Sequence, residues 1–140
     1  MKVKNMVEKW IQWKPIEGLA SKYYIKSVSD EIEGFKLILM PLKSKEASIE
    51  ILFKDGVYSY LRIDESFRAK LIHNLNEEYG LDFYKNWTFF QIDNSRYVSW
   101  LSDESYEWSK VYNLIHFSLI AADSTVDIIV NYEPEVKFIE

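Results

Sequence analysis

The feature that most constrains the fold is a pair of alternating runs near the end of the chain. Residues 111–122 and 125–132 both alternate in polarity, and residues 123–124 between them favour a tight turn. Counting back from this turn pairs Leu119 with Ile128 across an antiparallel hairpin. One face of the hairpin is then entirely apolar and is expected to lie in the core; it comprises Ile115, Phe117, Leu119, Ala121, Val126, Ile128 and Val130.

The opposite face of this closing hairpin is mixed. It carries Ile120 and Ile129 together with four polar side chains, which are His116, Ser118, Asp127 and Asn131. Antiparallel sheets commonly have one face on the core and one face in water. We therefore expect this second face to be at least partly solvated.

Two more hairpins are predicted upstream. Residues 23–28 and 35–40 read as the strands of the first. In the second, a three-residue loop at 54–56 pairs Phe53 with Val57, and its glycine takes the left-handed position that such loops require. We prefer this loop to a two-residue turn because a slip of one residue would move every apolar side chain to the other face.

Three segments show the spacing of helices. An N-terminal helix that ends before Pro15 is predicted from the spacing of Val3, Met6, Val7, Trp10 and Ile11. The main helix covers residues 64–79, with Asp64 as its cap and Gly80 after its end. Its apolar stripe is Phe67, Leu71, Leu75 and Tyr79. Ser95 caps a third, short helix, whose expected buried face is Tyr97, Trp100 and Leu101.

These elements define the expected fold class. A short strand is predicted at 87–92, and residues 136–139 add a possible terminal strand. After the leading helix the order is ββββ-α-β-α-ββ. Because neighbouring strands form hairpins and the helices do not alternate with them, this order predicts an α+β fold with a mainly antiparallel sheet. No linker or repeat divides the chain, so residues 1–140 are expected to form a single domain.

Composition excludes several classes of protein. With no Cys, the chain has no disulfides, no cysteine-ligated metal and no thiol nucleophile, and the expected compartment is a reducing cytoplasm. The first residues lack the apolar core of a signal peptide. No apolar run approaches the roughly 20 residues of a membrane-spanning helix. We therefore expect a cytoplasmic protein that does not interact with membranes.

A search for catalytic and cofactor motifs finds none. The four glycines are scattered, and two histidines are too few for a multi-histidine metal site, so no cofactor, nucleotide or metal site is predicted. His116, Ser118 and Asp127 include the residue types of a nucleophilic triad. However, side chains two residues apart on one strand are separated by about 7 Å, which is beyond a hydrogen bond.

His73 is expected to pack, partly buried, on the main helix. The carboxylate pairs Asp103/Glu104 and Glu133/Glu135 read as solvated acids. The expectation is a protein that is not an enzyme.

Charge is distributed unevenly along the chain. Residues 91–140 hold three basic and nine acidic side chains, whereas residues 1–90 are nearly neutral. Nucleic-acid binding requires a basic surface, so the predicted partner is instead a basic protein. Acids and large aromatic side chains are densest in one segment, which predicts a partner-binding site at Asp103, Glu104, Tyr106, Glu107 and Trp108.

Three stretches together resemble a known class of protein. They are FRAKLIHNLNEEYG, WTFFQIDNSRYVSWLSDES and the closing hairpin HFSLIAADSTVDIIVNYEPEVKFI. This half of the chain looks like small bacterial immunity proteins that accompany polymorphic, contact-delivered toxins. The resemblance implies a cytosolic protein without catalytic residues, which binds one cognate toxin domain, often a nuclease, and blocks its active site.

Two other functions remain open from the sequence. Aromatic residues make up 16% of the chain, so helices and a curved sheet could enclose an aromatic-lined pocket for a small ligand. An internal cavity with a few convergent polar groups would favour that function. A hydrolase or isomerase that uses His116 and nearby acids is the third function, and a cleft containing His116 would favour it.

Overall fold

The computed structural model describes residues 7–43, 45–107 and 112–139. This part of the chain forms nine strands and two α-helices. In order they are β1 (Lys9–Gln12), β2 (Tyr23–Glu31), β3 (Gly34–Pro41), β4 (Ser48–Phe53), β5 (Ser59–Asp64), α1 (Ala69–Tyr79), β6 (Phe89–Asp93), α2 (Arg96–Glu104), β7 (Ile115–Ile120), β8 (Ser124–Val130) and β9 (Glu135–Ile139). The predicted α+β class with antiparallel strands is confirmed.

The strands form two antiparallel sheets that share one core. The five-stranded sheet has the order β1-β6-β7-β8-β5, and the four-stranded sheet has the order β2-β3-β4-β9. Aromatic rings join the two sheets: the ring centroids of Phe53 and Phe117 are 6.0 Å apart, and those of Tyr23 and Phe89 are 5.4 Å apart. The strands alternate in burial as a sheet packed on one side requires; β4, for example, buries Ile49, Ile51 and Phe53.

Helix α1 covers the other face of the five-stranded sheet. Its Leu75 is buried against Trp10 of β1, Phe90 of β6 and Ile120 of β7. The domain therefore has three layers, with helices outside the five-stranded sheet and the four-stranded sheet on its other side. Within the described residues, neither helix is long and apolar enough to span a bilayer.

The closing hairpin, β7 and β8, has the predicted faces with a different register. Leu119 pairs with Val126, two residues from the predicted partner, because the turn is centred on Ala122 and Asp123, one residue earlier than predicted, and Ala121 N–H donates to the Ser124 carbonyl oxygen at 3.0 Å. A shift of two residues keeps each side chain on its face, so the apolar face lies in the core as expected. The prediction of a partly solvated second face is wrong for His116, Ser118 and Asp127, which the helices cover.

The prediction of an N-terminal helix is wrong where the structure describes it. Residues 9–12 form strand β1, which pairs with β6. Trp10 is buried while Ile11 is exposed, which is the alternation of a strand. Two of the residues that define the predicted helical spacing, Val3 and Met6, lie outside the described residues. Pairing along the free side of β6 satisfies backbone groups that a helix in this position would leave unpaired.

The predicted hairpin between residues 48–54 and 57–63 is also wrong. The first strand, β4, pairs with β3 and β9, whereas β5 pairs with β8 in the other sheet. The loop between them crosses from one sheet to the other, and Gly56 in it does have the expected left-handed backbone, with φ of 80°. Both strands pair with strands distant in sequence, so adjacency in sequence does not decide the pairing. The observed order thus gains β1, and the possible terminal strand at residues 136–139 is present as β9.

The main helix begins later than predicted. Asp64 caps a single 3-10 turn at Glu65–Phe67, and α1 starts only at Ala69. The change of pitch turns Phe67 off the expected apolar stripe, so its side chain is 82% exposed. Gly80 ends the helix as predicted, with φ of 94°. His73 does not pack as expected; it is exposed and lies 3.7 Å from Glu77.

The side chain of Lys22 connects the layers through hydrogen bonds. The Lys22 ammonium donates hydrogen bonds to the carbonyl oxygens of Tyr84, Trp87 and Ile120, at 2.6, 3.1 and 2.5 Å. These contacts fix the loop after α1 against β2 and β7. Burial lowers the pKa of Lys22 to about 8.

Candidate functional site

An open groove of about 670 Å³ lies between α1 and α2 in the described part of the chain. Its floor is the outer face of the five-stranded sheet, and every strand of that sheet contributes to it. The floor side chains are Trp10, Ile92, His116, Asp127, Leu61 and Ser59. The alternative function, binding of a small ligand, predicts an internal cavity, whereas this groove is open to solvent.

A chain of four polar side chains runs beneath the groove. His116 lies at its centre: the ring Nδ1 is 2.6 Å from Ser95 Oγ, and Nε2 is 2.7 Å from Asp127 Oδ1. Arg68 Nη1 approaches the other carboxylate oxygen of Asp127 at 3.5 Å. A carboxylate can only accept, so Nε2 carries a proton, and in the neutral ring Nδ1 accepts the hydroxyl proton of Ser95. Among these four side chains, each buried polar group therefore has a partner.

Local structure at the start of α2 sets the position of Ser95. Strand β6 ends at Asp93, and Asn94 turns the chain with a left-handed backbone, with φ of 55°. Ser95 then caps the helix as predicted, because its Oγ accepts the backbone N–H of Val98 at 3.1 Å. Glu8 accepts the backbone N–H of Arg96 at 2.8 Å and satisfies a second free donor of the first turn.

Tyr97 covers the histidine from the side of α2. Its ring stands edge-on to the His116 ring, with centroids 5.6 Å apart and planes at 89°. Its hydroxyl group shares a hydrogen bond with the hydroxyl group of Ser59 on β5. Burial raises the pKa of Tyr97. The aromatic ring and the hydrogen bond fix α2 over the polar chain and restrict the access of water to it.

The polar chain contains the residue types of a Ser–His–Asp triad. The sequence named Ser118 as the serine neighbour of His116, but Ser118 Oγ is buried without a hydrogen bond among the described residues. Ser95 takes that place, and sequence reasoning identified it only as a helix cap. Nucleophilic attack requires an accessible oxygen, yet Ser95 is 8% exposed and its Oγ already accepts the Val98 N–H. The arrangement therefore suits a rigid structural floor better than a nucleophile.

The mouth of the groove exposes large apolar side chains. Leu61 is 47% exposed, Phe67 82% and Trp100 54%. The prediction that Tyr97, Trp100 and Leu101 share a buried face is therefore wrong for Trp100, and Tyr97 and Leu101 are only partly buried. Helix α2 contacts the sheet through Tyr97, which leaves Trp100, one turn later on the groove side, with no covering layer.

The predicted partner-binding segment lies at the end of α2. Asp103 and Glu104 are exposed in its last turn, and Tyr106 and Glu107 follow in left-handed backbone conformations with exposed side chains. Trp108 lies outside the described residues. Residues three and four apart share one side of a helix, so Asp103 and Glu104 lie on the same side as Trp100. The structure thus brings two of the predicted residues next to an exposed tryptophan that the sequence had assigned to the core.

No metal site is evident in the ranges that the structure covers, because no three His, Asp or Glu side chains there converge as ligands. The carboxylate pair Glu133/Glu135 lies on the surface, and Glu135 contacts Lys54 at 2.7 Å. Comparison of the chain with known protein families, curated proteins and solved structures gives no match. The groove, the polar chain beneath it and the acidic end of α2 are therefore the observations from which a function can be argued.

Proposed function

We propose that the protein is a non-enzymatic inhibitor of the immunity type, which binds and neutralises another protein. Its binding face comprises the mouth of the groove and the acidic end of α2. The observation that carries this proposal is Trp100, a large aromatic side chain 54% exposed beside two exposed acids. Trp100 shares this exposure with Leu61 and Phe67 of the same groove, and a group of exposed large apolar side chains is typical of a surface that binds a partner.

Burial of the exposed apolar side chains supplies the affinity. Trp is among the residues most enriched where truncation weakens an interface by 2 kcal/mol or more. Trp100 stands at the edge of a groove whose opposite side carries Phe67 and whose floor carries Leu61. A partner segment that enters the groove would contact all three and remove them from water. The rigid polar chain below holds the floor in place, which limits the ordering that binding requires.

The acidic end of α2, beside a groove lined by both basic and acidic side chains, favours a basic partner. Asp103 and Glu104 belong to the part of the chain, residues 91–140, that holds nine acidic and three basic side chains. Acidic rims attract basic surfaces over distances of about a Debye length and raise the rate of encounter. A basic toxin domain, such as a nuclease that itself binds a polyanion, has the complementary surface.

The proposal is tested with the product of the gene that neighbours this one. We expect a toxin domain encoded there to bind the protein in a stable complex and to lose its activity in the complex. Co-expression should also restore the growth of cells that produce the toxin domain. If the purified domains neither associate nor show inhibition, although both are folded, the proposal is wrong.

Charge reversal tests the role of the acids. In the double variant Asp103→Lys/Glu104→Lys, the association rate with the basic partner should fall several-fold and its dependence on salt should weaken, because steering charges act mainly before contact. Glu31→Lys is the matched control, since Glu31 is an exposed acid on the other sheet. Stopped-flow association at several salt concentrations makes the measurement. Equal rates for the double variant and the control would contradict this role.

A hydrolase is the second candidate function, favoured by the polar chain Ser95–His116–Asp127 and by its place beside the groove. Under the inhibitor proposal, Ser95→Ala loses roughly 2 kcal/mol or more of stability, through the missing helix cap and the lost donor to the buried His116 Nδ1, and still binds the partner. Labelling with a serine-directed fluorophosphonate and turnover of activated esters distinguish the two functions. Label on Ser95 together with turnover that Ser95→Ala and His116→Asn abolish would replace the inhibitor proposal with a hydrolase.

A further inference from the structure

We propose that the protein pairs with a second copy of itself through the free edge of β5. This strand is the last of the five-stranded sheet, and its six residues pair in unbroken register with β8 on one side. On its other side, no strand of the described ranges lies against it. An edge of this kind presents a row of unpaired backbone N–H and C=O groups, which a further strand can satisfy.

The other three sheet edges carry features that oppose pairing. Strand β1 has only four residues and begins with Lys9. Strand β2 is interrupted by a bulge between Ile25 and Ser27 and ends in exposed acids. Strand β9 carries Glu135 and Lys137, each in an ion pair with a neighbouring strand or loop. Short strands, bulges and charges are the devices by which proteins protect their edges.

Strand β5 has none of these devices in its middle. It has no bulge, lysine or proline, and it carries exposed apolar side chains: Tyr60 is 37% exposed and Leu61 47%, and Tyr58 just before the strand is 53% exposed. Its central charge, Arg62, turns back to its own chain, 3.6 Å from Asp123 and 3.3 Å from Ser124 Oγ. Such an apolar and regular edge would promote aggregation in a chain that remained unpaired, and pairing with a second copy would cover it.

The sequence of β5 is complementary to itself in one antiparallel register. Ser59, Leu61 and Ile63 face the helical layer, because they pair with β8 residues of that face, whereas Tyr60 and Arg62 face the other way. When two copies of one strand pair antiparallel, residues directly opposite each other lie on the same face of the sheet. Because side chains alternate between faces along the strand, the two-fold axis that relates the copies must pass through a residue and not between two residues. An axis at Arg62 opposes two guanidinium groups. An axis at Leu61 pairs five residues of each strand, places the two leucines together and sets Tyr60 opposite Arg62 of the second copy, so that no like charges face each other.

This inference concerns the edge of β5 and shares one residue with the inhibitor proposal. Pairing through β5 would cover Leu61, which also lines the groove, whereas Trp100, Asp103 and Glu104 lie on α2 and not on that edge. Variants of β5 therefore test self-association, and variants of α2 test partner binding. Either proposal can fail while the other stands.

The experiment uses the absence of cysteine in the chain, since a single introduced cysteine can only cross-link between copies. We expect Leu61→Cys to form a disulfide dimer under mild oxidation, while Ile32→Cys, at a 98% exposed turn in the other sheet, stays mostly monomeric. Sedimentation equilibrium of the unmodified chain should give twice the mass of 16.7 kDa at high concentration. Amide exchange in β5 should slow as the concentration rises.

Each readout can overturn the proposal. A mass of one chain at the highest concentration reached would do so, as would equal cross-linking of the two cysteine variants. A dimer whose β5 amides exchange at the same rate at all concentrations would place the contact elsewhere. Because sedimentation and exchange use the natural chain, a cysteine variant that fails to fold does not leave the question open.

Discussion

Phe117→Ala is expected to lower the free energy of unfolding by about 3–5 kcal/mol, the usual range for a buried phenylalanine. The Phe117 side chain is fully buried between the two sheets. Its ring centroid lies 4.5 Å from that of Trp13 and 6.0 Å from that of Phe53 on β4. The substitution therefore removes apolar contacts from both sheets and leaves a cavity in the shared core that rigid strands fill poorly.

Urea denaturation followed by circular dichroism measures this difference. Phe67→Ala is the matched control, because the Phe67 ring is 82% exposed and its truncation should change the stability by less than about 0.5 kcal/mol. Equal losses for the two variants would show that the sheets do not share the core in the way described.

Asp127→Ala is the second substitution with a large expected effect, a loss of about 3–5 kcal/mol. Asp127 accepts from His116 Nε2 at 2.7 Å and lies 3.5 Å from Arg68 Nη1. Its removal leaves the buried imidazole and the partly buried guanidinium without their acceptor, and unpaired buried polar groups are more destabilising than the pair was stabilising.

The measurement is again the free energy of unfolding, with Asp103→Ala as the control for loss of an exposed carboxylate. Asp103 lies in the exposed last turn of α2, so its loss should have little effect on stability. A loss below about 1 kcal/mol for Asp127→Ala would show that water or rearrangement satisfies His116 and Arg68. The polar chain would then not be the rigid floor of the groove.

The sequence predicts the parts of the fold that depend on local pattern. The apolar face of the closing hairpin is correct because the two-residue period assigns Phe117 and Leu119 to one side, and Ile128 stays on that side when the register shifts by two residues. Ser95 is correct as the cap of α2, whereas Asp64 caps the 3-10 turn that precedes α1 rather than α1 itself; both caps depend only on the next few residues. Strand and helix classes follow from the same short-range signals.

Long-range choices are not encoded in such patterns. Residues 48–54 and 57–63 look like a hairpin, but their strands belong to different sheets because β8, 60 to 70 residues later, pairs better with β5. The second face of the closing hairpin looks half-solvated, because nothing within β7 or β8 shows that helices will cover it. The N-terminal run has both helical spacing and strand alternation, and the free side of β6 decides between them.

The candidate site was predicted in part for the same reason. Exposed acids at Asp103 and Glu104 follow from local polarity, and the left-handed residues after α2 keep Tyr106 and Glu107 on the surface. Trp100 was assigned to the core because its helical face is apolar, and only the position of α2 over the sheet shows that it is exposed. The bond between Ser95 and His116 joins residues 21 positions apart and leaves no sequence signal.

The most direct test of the inhibitor proposal is the dissociation rate of the complex with the toxin domain when Trp100 is truncated. Trp100→Ala is expected to speed dissociation about 30-fold or more, equivalent to about 2 kcal/mol, while the association rate changes little. Ile32→Ala, which truncates a 98% exposed apolar side chain on the other sheet, should leave both rates unchanged. Surface plasmon resonance measures both rates. A folded Trp100→Ala variant that dissociates as slowly as the unmodified chain would contradict the proposed binding face.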